Sequence, residues 1–468
     1  MNTRSPFADA ALAAPVSRYV LRSGTQAESG ARRALAAGWL WLAIASLVGS
    51  GLFSILLVLA RAPYVKDVFP LAGFFRVALI VHVDLSVLVW FTAFAGLLWT
   101  LNGSARFLAL GWAGLALCAA GTLALCAAPF LEEGLPVMSN YVPVIDGPIF
   151  LHALTVFAAG CALLVLRAML CAPRVGIRPD GAAVLGFGLN AAAVSAAVAL
   201  FAFGWSYLAL PADLEGKAYF EVLFWGGGHV LQFTWTLLMF VAWLALADAS
   251  GARPPLSPRI ALLLFAVALV SVFATPVLYL AYDVVSLEHY RMQTWLMRIG
   301  GGLAIVPFSA AVAFGLAAAP RAQADQRPFR AALIWSIALF GAGGVIGLAI
   351  NGSNVKIPAH YHGAIVGVTL AFMGLAYHLL ARMGFARPQG RLPVWQPAIY
   401  GCGQLLHIVG LVWSGGYGVQ RKVAGSEQVL RSASETAGMA LMGIGGLLAV
   451  AGGILFIVIM LRAMLAKR

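Results

Sequence analysis

The sequence predicts an all-α polytopic membrane protein with twelve transmembrane helices. Three observations carry that prediction. Of the 468 residues, 62% are hydrophobic and only 10% are charged, against roughly 45–50% and about 25% in soluble domains. Uncharged stretches long enough to cross a bilayer recur from end to end. The basic residues collect in alternate loops between those stretches.

The elements follow in order. Residues 1–34 are polar and basic, without the apolar core of a cleavable signal, and read as a cytoplasmic tail. Residues 35–468 then read as a single twelve-helix membrane domain. Span 1 (about 35–60) starts behind Arg32 and Arg33. Span 2 (about 73–101) carries His82 and, two residues on, Asp84. Spans 3 (about 107–130), 4 (about 147–170) and 5 (about 183–210) follow, with His152 opening span 4. Span 6 (about 218–247) holds His229 and ends at Asp248. Span 7 (about 259–282) has hydroxyls at near-helical spacing, Ser271, Thr275 and Tyr279. A loop with Glu288 and His289 leads to span 8 (about 292–319). Span 9 (about 330–351) includes "FGAGGVIG", and span 12 (about 436–463) includes "GMALMGIGG". Such glycine patches permit close helix approach; neither follows a strand, so neither reads as a phosphate-binding turn. Span 10 (about 358–381) has His360, His362 and His378, and span 11 (about 395–418) has His407. The five cysteines show no CxxC spacing and read as small core residues.

Charge supports the same count. With the N-terminus inside, 20 of the 30 basic residues fall on the inner side, with only five of the 17 acidic ones (Asp9, Glu28, Asp180, Asp248 and Asp325). This is the positive-inside pattern, and an even number of spans returns both termini to the cytoplasm. The net charge of +13 is therefore topological and makes nucleic acid an unsuitable partner. The lipid bilayer is the expected surrounding, with a bacterial-type inner membrane as the location.

The eight histidines sort by depth. His82, His229, His360 and His362 all fall in the outer half of the bilayer at about 1.5 Å rise per residue. Intramembrane ionisable residues are costly and point to function; a single one also serves as an interhelical hydrogen-bonding group. His378 belongs at the inner surface and His152 at an interface, while His407, deep in span 11, is open to either reading. His360 and His362 are separated by about 200° of helix rotation. They point to nearly opposite faces and suit two cofactors rather than one metal. Neutral imidazole is a common axial ligand of haem iron. A second histidine from another helix, His82 for example, completes a six-coordinate haem.

These residues also carry a family resemblance. "RVALIVHVDLSVLVWF" (76–91), "PAHYHGAIVGVTLAFMGLAYHLL" (358–380) and "FWGGGHVLQFTW" (224–235) resemble spans 2, 10 and 6 of subunit I of the haem–copper oxidase superfamily. That family comprises oxygen reductases and nitric oxide reductases. The resemblance implies two haems: His82 and His362 on the low-spin iron, and His360 on the high-spin iron. It implies Arg421 and Lys422, in "GYGVQRKVAG" (416–425), for the haem propionates. It implies His229 as the first ligand of a second metal, copper or iron. It further implies O2 or NO as substrate, a cytochrome c or copper-protein electron donor, and a companion subunit.

Two departures qualify the resemblance. Where related chains place tyrosine or glutamate four residues after the span-6 histidine, this one has Phe233. Some relatives carry the tyrosine on the next helix, which makes Tyr279 and Tyr282 the candidate catalytic residues. Span 7 normally supplies an adjacent His-His pair, and "ATPVLYLAYD" (274–283) puts Leu280 and Ala281 there. Neither offers a ligand atom. His289 reaches the site only if span 7 ends early. The expected function is therefore a respiratory oxidoreductase reducing O2 or NO beside a rebuilt second metal. The alternative is a non-catalytic dihaem protein, an electron carrier, gas sensor or oxidase-assembly factor, that has lost that metal.

Overall fold

A computed structural model of the chain describes residues 19–21, 30–64, 72–177, 179–424 and 427–466. Most of the tail expected over 1–34 lies outside these residues. Among them, twelve helices are long and apolar enough to cross a membrane. They are Gly30–Leu59 (span 1), Phe74–Asn102 (span 2), Leu108–Leu131 (span 3), Pro148–Leu170 (span 4), Gly181–Ala209 (span 5) and Gly216–Ala249 (span 6). Pro258–Ala281 (span 7), Leu287–Ala317 (span 8), Arg327–Leu348 (span 9), Lys356–Met383 (span 10), Leu392–Gly416 (span 11) and Ala433–Leu465 (span 12) complete the set.

Local chemistry fixes the helix starts. Ser257, Ser286 and Ser432 each accept a hydrogen bond from the backbone N–H three residues on, and Asp180 does the same for span 5. The Ser286 cap has a consequence for the site. Span 7 stops at Ala281, and the chain turns and restarts as helix at Leu287, about five residues earlier than the charge pattern suggests. His289 is therefore in the first turn of span 8 and not in a loop.

Spans 6 and 10 are central: 83% and 78% of their apolar stretches are buried, against 28% for spans 7 and 9. Aromatic pairs lock this centre, with Phe94 of span 2 stacked on Phe372 of span 10 at 4.4 Å and Phe240 of span 6 on Phe308 of span 8 at 4.2 Å. Spans 9 and 10 approach at two glycines. A Cβ on Gly363 would lie 2.6 Å from the Gly343 nitrogen, so only glycine permits the contact. Span 2 changes to π winding over Asp84–Val89, directly after His82, and span 8 does so over Met297–Gly301. Such π segments frequently mark functional sites.

One element was not legible in the sequence. Strands β1 (Leu135–Val137) and β2 (Val144–Asp146) pair antiparallel between spans 3 and 4, Leu135 opposite Asp146. Three residues per strand are too few for alternation to show. The end of the bundle that carries this hairpin, together with loops 282–286 and 417–424, is the one nearer His360 and His362, which lie in the first turns of span 10.

Candidate haem-binding site

Six histidines turn Nδ1 to an oxygen acceptor, His152 and His229 among them, and four of the six come from spans 2, 10 and 11. His82 turns its Nδ1 to the Ser50 carbonyl on span 1 at 3.0 Å. His360 turns its Nδ1 to the Gly343 carbonyl at 2.7 Å, a bond that the Gly343–Gly363 approach makes reachable. His362 turns its Nδ1 to Gln404 Oε1 on span 11 at 3.2 Å. His407 turns its Nδ1 to the Met442 carbonyl on span 12 at 3.0 Å. A carbonyl or amide oxygen only accepts, so each Nδ1 carries the proton and each Nε2 keeps its lone pair. That is the tautomer a metal-binding imidazole needs, fixed by the outer hydrogen bond.

The positions form two groups. His82, His362 and His407 belong together: the His362 and His407 rings are 4.6 Å apart at 51°, and both are within electrostatic reach of His82. His360, on the other side of span 10, faces span 9, with Arg298 of span 8 within reach of its charge. The opposite-face geometry expected of the HxH pair is what these separate partners reflect. Asp84, two residues past His82, is buried with neither carboxylate oxygen hydrogen-bonded.

Cations gather above them at the hairpin end. Lys422 Nζ donates to the Met138 carbonyl at 2.6 Å, from a backbone held at φ 62°, where a non-glycine residue is uncommon. Burial, aided by Arg421 and Lys217, pushes the Lys422 ammonium down to about 8, with Glu221 opposing. Arg421 donates to Asn140 Oδ1 at 3.4 Å and lies within electrostatic reach of Tyr361, the residue between the two span-10 histidines. Asn140 is itself held by the Glu221 carboxylate. Arg61, which the sequence reading did not single out, donates to Gln428 Oε1 at 3.2 Å, and burial lowers its guanidinium to about 10. Lys422, Arg421 and Arg61, three cations at one end of the histidine cluster, make an anion-binding rim.

The donor set fits haem. Three Nε2 lone pairs stand where the resemblance requires axial ligands, and the rim suits carboxylates. His82, His360 and His362 would hold the irons, with Arg421 and Lys422 on the propionates. The second metal does not fit. His229 donates from Nδ1 to the Trp225 carbonyl at 2.8 Å, and its Nε2 accepts from the Tyr141 hydroxyl at 2.9 Å. Both nitrogens are thus satisfied by protein. Gly228 makes this possible, since a Cβ there would lie 2.6 Å from Tyr141 Cβ. Leu280 and Ala281 are exposed and offer no donor. No three His, Cys, Asp or Glu side chains among the described residues gather closely enough to hold a metal ion.

Of the candidate tyrosines, Tyr279 meets His289 rather than the histidines of spans 2 and 10. Tyr279 is buried, with its hydroxyl 2.7 Å from Ser206 Oγ and donating to the Ala202 carbonyl on span 5. It rests on Gly226, three residues short of His229, and its ring touches His289 at 4.7 Å. Tyr282 is 36% exposed at the end of span 7, and Asp283 is used in the turn, accepting from Val285 N–H at 3.0 Å. Span 7 ends where expected, and it is the early start of span 8 that brings His289 inside, 2% exposed and within electrostatic reach of His229.

Sequence reasoning missed Ser50, Gln404, Tyr141 and the placement of His407. Depth carried a signal for the last. His407 lies nine residues before Gly416, about 14 Å from the hairpin end, and His82 eight past Phe74, about 12 Å.

Comparison with known proteins gives the family and the fold. Residues 34–466 match the family model "Cytochrome C and Quinol oxidase polypeptide I". An uncharacterized protein of Rickettsia prowazekii (strain Madrid E) is 29% identical over 91% of this chain and 95% of its own length. An uncharacterized protein of Aquifex aeolicus (strain VF5) is 26% identical over 77% of this chain and 88% of its own. Among solved structures, a heme-copper terminal oxidase matches with a TM-score of 0.70 at 16% identity, covering 94% of this chain and 85% of that one, which shows a common fold. The chain is a haem–copper oxidase subunit I-like protein and belongs to the cytochrome c and quinol oxidase polypeptide I family.

Proposed function

We propose that this protein is a two-haem membrane oxidoreductase acting on O2 or NO without the family's three-histidine second metal. One observation carries the reading: His82, His360 and His362 share the Nδ1–H tautomer that leaves Nε2 free for iron. When bound, the haems supply electron transfer and, on the His360 side, an open position for a diatomic ligand. The protein's own part is to orient. Ser50, Gly343 and Gln404 fix the imidazole planes, and Arg421 and Lys422 neutralise propionates at the hairpin end. The apolar walls around spans 6 and 10 keep water away.

By the positive-inside pattern the hairpin end faces outward and both termini are cytoplasmic, in a bacterial-type inner membrane. The electron donor, a cytochrome c or copper protein with a companion subunit, would then dock at that end. No inner-side chain of glutamates or lysines marks a proton path, so hydroxyls such as Ser271 and Thr275 are the polar groups available in span 7.

A second reading is favoured by a specific observation. The Tyr141 hydroxyl on His229 Nε2, with Leu280 and Ala281 in span 7, suits a non-catalytic dihaem carrier, sensor or assembly factor. Turnover decides between them. Purified protein that consumes O2 or NO with a reduced artificial donor supports the oxidoreductase. Protein that holds two haems, binds CO and shows no turnover supports the second reading.

A further inference from the structure

The third imidazole beside His82 and His362 has no part in the assignment above. His407 comes from a different helix, span 11, and its ring lies 4.6 Å from that of His362. Its Nδ1 is committed to the Met442 carbonyl at 3.0 Å, so its Nε2 carries the lone pair. The ring is held from behind by two glycines of span 12. Gly445 lets that backbone close on the His407 amide, and a Cβ on Gly446 would lie 3.2 Å from His407 Nδ1. Gln404, one turn before His407, is the residue that orients His362. Span 11 thus contributes both the outer partner of His362 and a second imidazole in the same tautomer.

We propose that His407 is a reserve axial ligand of the haem held by His82, able to take the place of His362. The inference rests on the reading that His82 and His362 share a haem. The exchange is balanced in itself. One Fe–Nε2 bond, to His362, breaks and another, to His407, forms. Both imidazoles are neutral with Nδ1–H before and after, so no proton or electron is transferred. A bis-imidazole iron remains six-coordinate and low-spin either way.

The test compares purified wild type, H362A, H407A and H362A/H407A by haem stoichiometry and by EPR of the oxidised protein. The His360 haem, read as high-spin signal and CO binding, reports the fold in every sample. The expected result is a low-spin signal in wild type and H407A, a retained low-spin signal with shifted g-values in H362A, and its loss in the double variant alone. Loss of the low-spin signal in H362A to the level of the double variant, with the high-spin haem intact, overturns the inference. Should H362A not assemble, H362F, which keeps the volume, is read in the same way. A wild type without any low-spin haem is a different failure, that of the functional reading itself.

Discussion

Gly363→Ala should damage the His360 site without touching it. Gly363 lies one turn below His360 on span 10, and its Cβ would meet the Gly343 backbone at 2.6 Å from nitrogen and the Leu339 carbonyl at 3.0 Å. Ordinary contact begins near 3.4 Å. These neighbours are backbone, so the whole of span 9 must retreat by most of an ångström. Overpacking of this kind costs about 1–3 kcal/mol. The retreat also stretches the 2.7 Å bond from His360 Nδ1 to the Gly343 carbonyl, and losing it adds about 0.5–1.5 kcal/mol. Loss of such an outer partner lowers metal-site affinity about 10–100-fold. Thermal unfolding in detergent and haem content after a desalting column measure the two effects. Gly344→Ala is the control, since a Cβ there meets nothing within 4 Å, and alanine in a helix is favourable by roughly 0.5–1 kcal/mol. The expected outcome is a lower midpoint and about half the haem in Gly363→Ala, with Gly344→Ala at or above wild type. Equal midpoints and equal haem in the two variants would refute the claim that glycine packing sets the His360 imidazole.

His82→Ala should remove the low-spin spectrum and spare the high-spin one, checked by visible absorption of the reduced protein. Gln404→Leu should weaken retention of the same haem about 10-fold or more, measured as haem loss to apomyoglobin, while the His360 signal is unchanged. Tyr141→Phe should leave both haem signals in place and lower stability by about 0.5–1.5 kcal/mol, read in a denaturant titration; a gain of bound copper would show that the hydroxyl had been masking a metal site. Lys422 gives a pH dependence with a definite sign. Its folded value near 8 is below the ordinary 10.5, so between those values the folded haem-free protein holds fewer protons than the unfolded chain. Stability of the haem-free form therefore rises with pH across that window, and Lys422→Ala should flatten the rise in a pH series of melting curves.

The fold was legible because a bilayer leaves few choices. Long apolar runs must be helices, and basic loops separate them; the twelve expected spans coincide with the observed ones to within about five residues. The span 10 pair was legible because two residues of a helix imply opposite faces. Other features depend on approaches between distant segments. Nothing near His229 in sequence announces Tyr141, 88 positions away and outside span 6. Ser50 and Gln404 read as ordinary polar residues until spans 1 and 11 are docked on spans 2 and 10. In sequence His289 reads as a loop residue because its charged neighbours obscure the Ser286 cap, which starts span 8 early and buries the ring. His407 could have been ranked with His82 by depth alone, but only the packing of span 11 shows that it meets His362.

Haem and metal content of the purified, full-length protein test the central claim most directly. Pyridine haemochrome and elemental analysis on one sample should give two haems per chain and no further copper or iron in stoichiometric amount. A chain without haem, or one carrying a full equivalent of copper beside its haems, would contradict the account.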